Sequence, residues 1–174
     1  MQTLIAGQVM TFDGDPFRDG PQAVRIDSRG AVLVEDGRIA AVGPRERLSR
    51  EAPQAQIIDH GDALISPGFV DAHVHYPQTA IIASWGKRLI DWLNSYTFPE
   101  EMRFSDPAYA RQIAERYFDL ALSNGTTTAC SYATIHPESV DAFFEAAEGR
   151  GLRALTGKVC MDRNAPDGLK DTPQ

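Results

Sequence analysis

The stretch Pro67-Gly68-Phe69-Val70-Asp71-Ala72-His73-Val74-His75-Tyr76-Pro77-Gln78 decides how this chain is read. Pro67-Gly68 supplies a turn, residues 69–74 are apolar enough for a parallel strand buried on both faces, and Tyr76-Pro77 ends it. Side chains alternate across a strand, so His73 and His75 share one face while Val70, Ala72 and Val74 take the other. Two neutral imidazoles side by side form half of a divalent-metal site, for which zinc is the usual occupant. The competing reading is two histidines at the exposed end of a strand that bind nothing.

The remainder of the sequence sets the frame. A chain of 174 residues that is 43% hydrophobic and 24% charged has an ordinary globular composition with enough apolar material for a core. A net charge of −7 and no basic cluster longer than Lys87-Arg88 argue against a nucleic-acid surface. No apolar run approaches a membrane span, and Met1-Gln2-Thr3 does not open a signal peptide. Cys130 and Cys160 each fall in an apolar strand-like run and read as reduced core thiols, which suits a cytoplasmic protein.

Residues 1–66 read as a small β-sandwich layer. Strands are expected over 4–12, 23–26, 31–35, 38–42, 56–59 and 63–65, with turns at Asp13-Gly14-Asp15-Pro16, Ser28-Arg29-Gly30 and Asp36-Gly37 and around His60-Gly61-Asp62. Residues 44–53 read as a short helix or loop. From Pro67 the rhythm becomes strand and helix in alternation. Helices are expected over 87–96, 107–123 (capped by Ser105 or Asp106, stopped at Gly125) and 137–149, with strands over 126–134 and 152–161. That order gives an α/β fold with parallel strands, either a (β/α) barrel or a doubly wound sheet. No glycine-rich phosphate fingerprint follows a strand, which disfavours the second.

In a barrel, chemistry gathers at the C-terminal strand ends, where His73, His75, His136 and Asp162 fall. A strand-to-helix loop position accounts for His136 without any catalytic role, and Asp162 could equally be a loop residue or a helix cap. A whole (β/α)8 barrel takes about 250 residues, so residues 67–174 hold only about three units. A catalytic zinc also needs about three protein ligands and an acid/base group. The expectation is therefore the N-terminal part of a longer enzyme, with residues 167–174 a loop leading onward.

The stretch from Pro67 to His75 resembles the first-strand signature of the amidohydrolase superfamily, and the β-layer before it resembles the domain that superfamily carries. A finer resemblance, to the guanine deaminase family, runs from about residue 64 onward. It rests on His75-Tyr76-Pro77-Gln78-Thr79, Trp92-Leu93-Asn94-Ser95-Tyr96-Thr97-Phe98-Pro99-Glu100, Asn124-Gly125-Thr126-Thr127-Thr128-Ala129, Thr134-Ile135-His136-Pro137 and Gly157-Lys158-Val159-Cys160-Met161-Asp162-Arg163-Asn164. The resemblance implies zinc-dependent deamination of guanine to xanthine and ammonia. It implies His73 and His75 as the first two zinc ligands and Gln78 as a purine-recognising amide, which can both donate and accept. The family's remaining ligands, its glutamate proton shuttle and its further purine contacts would lie beyond residue 174, leaving no catalytic acid/base within this stretch. A small-molecule purine is then the expected partner, and the longer enzyme is expected to be a homodimer. Two alternatives stand beside this one: an amidohydrolase acting on a cyclic amide, a triazine or another aminopurine, and a non-catalytic truncated product.

Overall fold

The computed structural model describes residues 1–171, which fall into two compact units divided between Pro67 and Gly68. The terminal part of the expected onward loop, residues 172–174, lies outside the described residues.

The first unit is one four-stranded sheet. Its strands are β1 (Gln2–Phe12), β2 (Val24–Glu35), β3 (Arg38–Pro44) and β4 (Gln56–Ile65), with the single turn α1 (Pro16–Asp19) and the helix α2 (Arg45–Glu51) in the connections. The sheet order is β3-β2-β1-β4, with β1 antiparallel to β2 and parallel to β4. The Asp36-Gly37 turn between β2 and β3 has both residues at positive φ, 49° and 78°, the backbone that a tight two-residue hairpin requires. Leu48 of α2 is fully buried against Leu4, Ala6, Ala31 and Leu33, which closes one side of the sheet.

Two expected turns are absent. β2 runs unbroken through Ser28-Arg29-Gly30, and β4 through His60-Gly61-Asp62. The glycines there serve irregular pairing rather than chain reversal. β1 shifts register against β2 between Gly7 and Val9, and Gly30 lies so close to the Val9 side chain that a Cβ would stand 2.8 Å from it. In β4, Gly61 takes a φ of 59° where the pairing with β1 also shifts.

The second unit is a three-stranded parallel sheet, β5 (Phe69–His75), β6 (Thr126–Tyr132) and β7 (Arg153–Gly157), in that order. Between β5 and β6 the chain passes through a 3₁₀ segment (Tyr76–Ile81) and the helices α3 (Leu89–Trp92), α4 (Phe98–Met102) and α5 (Pro107–Ser123); α6 (Pro137–Gly149) links β6 to β7. α5 begins where its cap dictates, with Asp106 Oδ1 accepting from the Ala108 N–H at 2.9 Å, and Gly125 beyond its end has a φ of 81°. The single helix expected over residues 87–96 is instead the single turn α3 followed by a wide π turn (Leu93–Thr97) that leads into α4. Pro99 has no N–H to give the α-helical ladder at that point.

The core lies between the sheet and α5 and α6, where Phe104, Ile113, Phe118 and Phe143 surround the fully buried Tyr76. Ala129 and Ser131 of β6 face this core, while Cys130 and Tyr132 face away and are exposed. The expected burial of β5 on both faces does not hold: Phe69 and Val70 are 63% and 66% exposed. β5 is an edge strand of an open sheet, and helices cover only one side of it. The same openness leaves Cys130 exposed, and Cys160 is exposed too, so neither is the core thiol expected. β7 ends at Gly157 rather than near Met161 because the Val159 N–H turns to the Thr134 carbonyl, 3.0 Å away.

Candidate functional site

His73 and His75 lie at the C-terminal end of β5 on a common face, with ring centroids 5.5 Å apart. Tyr132, at the end of the neighbouring strand, completes an aromatic cluster. Its ring stacks on His75 at 4.7 Å with 19° between planes and lies 5.3 Å from His73. Sequence reasoning missed Tyr132; its signal was the parallel register that sets it opposite His75.

Burial lowers the pKa of His75, and the charge of neighbouring His73 lowers it further. Both effects favour the neutral imidazole, the form that binds metal. The donor set therefore fits half of a tetrahedral zinc site. Among the described residues, no group of three or more His, Cys, Asp or Glu side chains converges to complete one.

The chain leaving His75 is pinned immediately. The Tyr76 N–H donates to Ser131 Oγ at 3.0 Å, and the Tyr76 hydroxyl donates to the Ser139 carbonyl. Burial pushes the Tyr76 phenol well above its usual range, so it stays neutral and able to donate. From this anchor the 3₁₀ segment carries Gln78 outward, and the Thr79 hydroxyl donates back to the Tyr76 carbonyl at 2.6 Å. Gln78 then lines a cleft of about 580 Å³ together with His73, His75, Asp71, Thr79 and Trp92. That size is within the roughly 300–1,000 Å³ of small-molecule sites. Across the segment, Gln78 Nε2 donates to Glu101 Oε1 at 3.4 Å. Glu101 is a carboxyl only 8% exposed, and its burial raises its pKa. It too was missed, because a glutamate in a charged helix turn reads as a solvated residue.

His136 sits at the N-terminal cap of α6, with its Nε2 buried and unpartnered among the described residues. Burial lowers its pKa, and the nearby Lys158 charge does likewise against the opposing pull of Glu138. Its backbone belongs to a capping network in which its N–H donates to Thr134 Oγ1 and its carbonyl accepts from Ser139 Oγ. Asp162 is exposed in the loop after β7. Neither residue lines the cleft that holds the two strand histidines.

The chain matches the family model described as "Amidohydrolase family" over residues 64–173, and residues 30–55 match a bacterial imidazolonepropionase-like composite domain. It is 44% identical over 153 residues to the guanine deaminase of Escherichia coli strain K12, a match covering 87% of this chain and 35% of that protein. Its structure superposes on guanine deaminase from Bradyrhizobium japonicum with a TM-score of 0.89 at 35% identity, over 99% of this chain and 38% of that one. It superposes on guanine deaminase from C. acetobutylicum with bound guanine in the active site with a TM-score of 0.79 at 32% identity, over 98% and 39%. The chain thus spans about a third of the length of the E. coli relative. The family match covers the two histidines, the cleft and the open parallel sheet that carries them. The chain belongs to the amidohydrolase family.

Proposed function

We propose that this chain supplies the metal anchor and part of the substrate-reading surface of a guanine deaminase, which hydrolyses guanine to xanthine and ammonia in purine catabolism. The observation that carries the reading is the convergence of His73, His75 and Gln78 on one cleft. In this reading His73 and His75 hold zinc through neutral imidazoles. Zinc, when bound, would supply a Lewis acid that lowers the pKa of water toward neutrality. Gln78 contributes a neutral amide, a poor zinc ligand but a good partner for a purine edge, since it offers both an acceptor and a donor. Tyr76 keeps the histidine strand and the Gln78 segment in fixed relation, so that substrate contacts and metal ligands stay in register. The further ligands and the proton-carrying carboxylate are assigned to the remaining length that such relatives have.

The test is to express the full-length chain that contains this segment, supply zinc, and follow guanine loss by absorbance while measuring xanthine and ammonia. Stoichiometric release of both products that stops on chelation is the expected result. Absence of guanine turnover in a zinc-loaded, folded protein, or turnover of a triazine in preference to guanine, would overturn the reading.

A further inference from the structure

Glu101 has no assigned part in the reading above, yet it is a buried carboxyl whose recorded side-chain partner is Gln78. Its neighbour Glu100 is engaged elsewhere, accepting from the Arg103 guanidinium at 3.1 Å and from the Tyr109 hydroxyl. Arg103 in turn lies over the Tyr109 ring, 3.7 Å from its centroid. The two adjacent glutamates therefore have separate tasks. Glu100 braces the turn between α4 and α5, and Glu101 is left facing the amide in the cleft.

A free glutamine amide can flip, exchanging its donor and acceptor ends, and a purine edge tells the two apart. We infer that Glu101 is a positioning residue that fixes the Gln78 amide: by accepting one Nε2 proton it prevents the flip and leaves Oε1 and the second Nε2 proton as a fixed acceptor and donor pair for the ring edge of an aminopurine. As a carboxylate Glu101 can only accept, so it satisfies only the amide orientation that turns Nε2 toward it. The present separation of 3.4 Å is long for an N–H···O bond, and ligand binding is expected to tighten it. This inference rests on the reading of Gln78 as a substrate contact.

The test uses four variants of the full-length, zinc-loaded enzyme, with kcat, KM for guanine, zinc content and melting temperature measured for each. Glu101→Leu removes the acceptor at similar volume; an unlocked amide should raise KM about 3- to 10-fold and leave kcat within about 2-fold. Glu101→Gln keeps volume and polarity but adds a donor that tolerates the flipped amide, so it should restore the melting temperature without restoring KM, which separates positioning from packing. Gln78→Ala should raise KM, and adding Glu101→Leu to it should cost nothing more. Zinc content should stay unchanged throughout. A wild-type KM in Glu101→Leu, a wild-type KM in Glu101→Gln, or multiplying effects in the double variant would overturn the positioning role while leaving Gln78 as a contact. A wild-type KM in Gln78→Ala would instead remove the reading on which the inference rests. Should Glu101→Leu not fold, the double-variant comparison is made with Glu101→Asp, whose shorter side chain withdraws the acceptor, and the same outcomes decide.

Discussion

The backbone N–H of Tyr76 donates to Ser131 Oγ across 3.0 Å, joining the first residue past the histidine strand to the strand beside it. Both groups are buried, and the Tyr76 ring is fully enclosed by Phe104, Tyr117 and Phe143. One residue before this bond is His75, and two residues after it is Gln78. The bond thus fixes His75 relative to Gln78 from a point in the core. Tyr76→Ala should destabilise the fold by about 3–5 kcal/mol through the cavity it leaves. Ser131→Ala should cost about 1–3 kcal/mol by stranding a buried N–H. Urea denaturation followed by circular dichroism measures both, and losses under about 0.5 kcal/mol would show that the anchor does not hold the strand end.

Gly68, immediately before β5, lies against Thr127 of β6. A Cβ built there would overlap the Thr127 side chain, whose β-branched atoms have little freedom to retreat. Gly68→Ala should therefore destabilise by about 1–3 kcal/mol, and Gly68→Ala with Thr127→Gly should recover a substantial part of it. A Gly68→Ala protein as stable as the parent would contradict the packing described.

Glu101 also makes a pH prediction. Its folded pKa is raised by burial above the 4.5 of a free glutamate, with the Gln78 hydrogen bond opposing in part. Just above pH 4.5 the unfolded chain has lost the proton while the folded chain keeps it, so the folded state binds more protons. This group's contribution to stability therefore falls as pH rises from about 4.5 through the folded value. Glu101→Gln should flatten that part of the stability profile measured by urea denaturation at a series of pH values. An unchanged slope in the variant would show that the carboxyl titrates normally.

His136 gives the opposite dependence. Its folded pKa lies below the ordinary 6.5, chiefly through burial, and its Nε2 has no hydrogen-bond partner among the described residues. The unfolded chain takes up the proton first as pH drops, so stability should fall from about pH 6.5 downward, and His136→Asn should remove that component. The comparison is a pair of thermal melts at pH 7 and pH 5.5. Equal loss in both proteins would rule the residue out as the source.

Where local chemistry decides structure, the sequence was legible. Asp106 caps α5, Pro137 opens α6, and Asp36-Gly37 closes a hairpin, each as side-chain and backbone preferences dictate. The same was true of the two histidines on one strand face and of Gln78 outside the strand. What escaped was set by tertiary packing. Gly30 and Gly61 looked like turns, since nothing local distinguishes a glycine that reverses the chain from one that absorbs a register shift. Cys130 sits in an apolar run yet faces outward, because period-two alternation aims it away from the helices. The Gln78–Glu101 contact joins residues 23 apart through a helical path that Pro99 interrupts, and no local spacing encodes that distance.

The measurement that bears most directly on the site is zinc content beside guanine turnover in the full-length protein and its His73→Ala and Gln78→Ala variants. Wild-type protein should hold about one zinc per chain and deaminate guanine. His73→Ala should lose both, while Gln78→Ala should keep its zinc and lose roughly 5- to 150-fold in kcat/KM, the equivalent of about 1–3 kcal/mol. Stoichiometric zinc with full activity in His73→Ala, or loss of zinc in Gln78→Ala, would contradict the assignment of ligand and substrate contact made here.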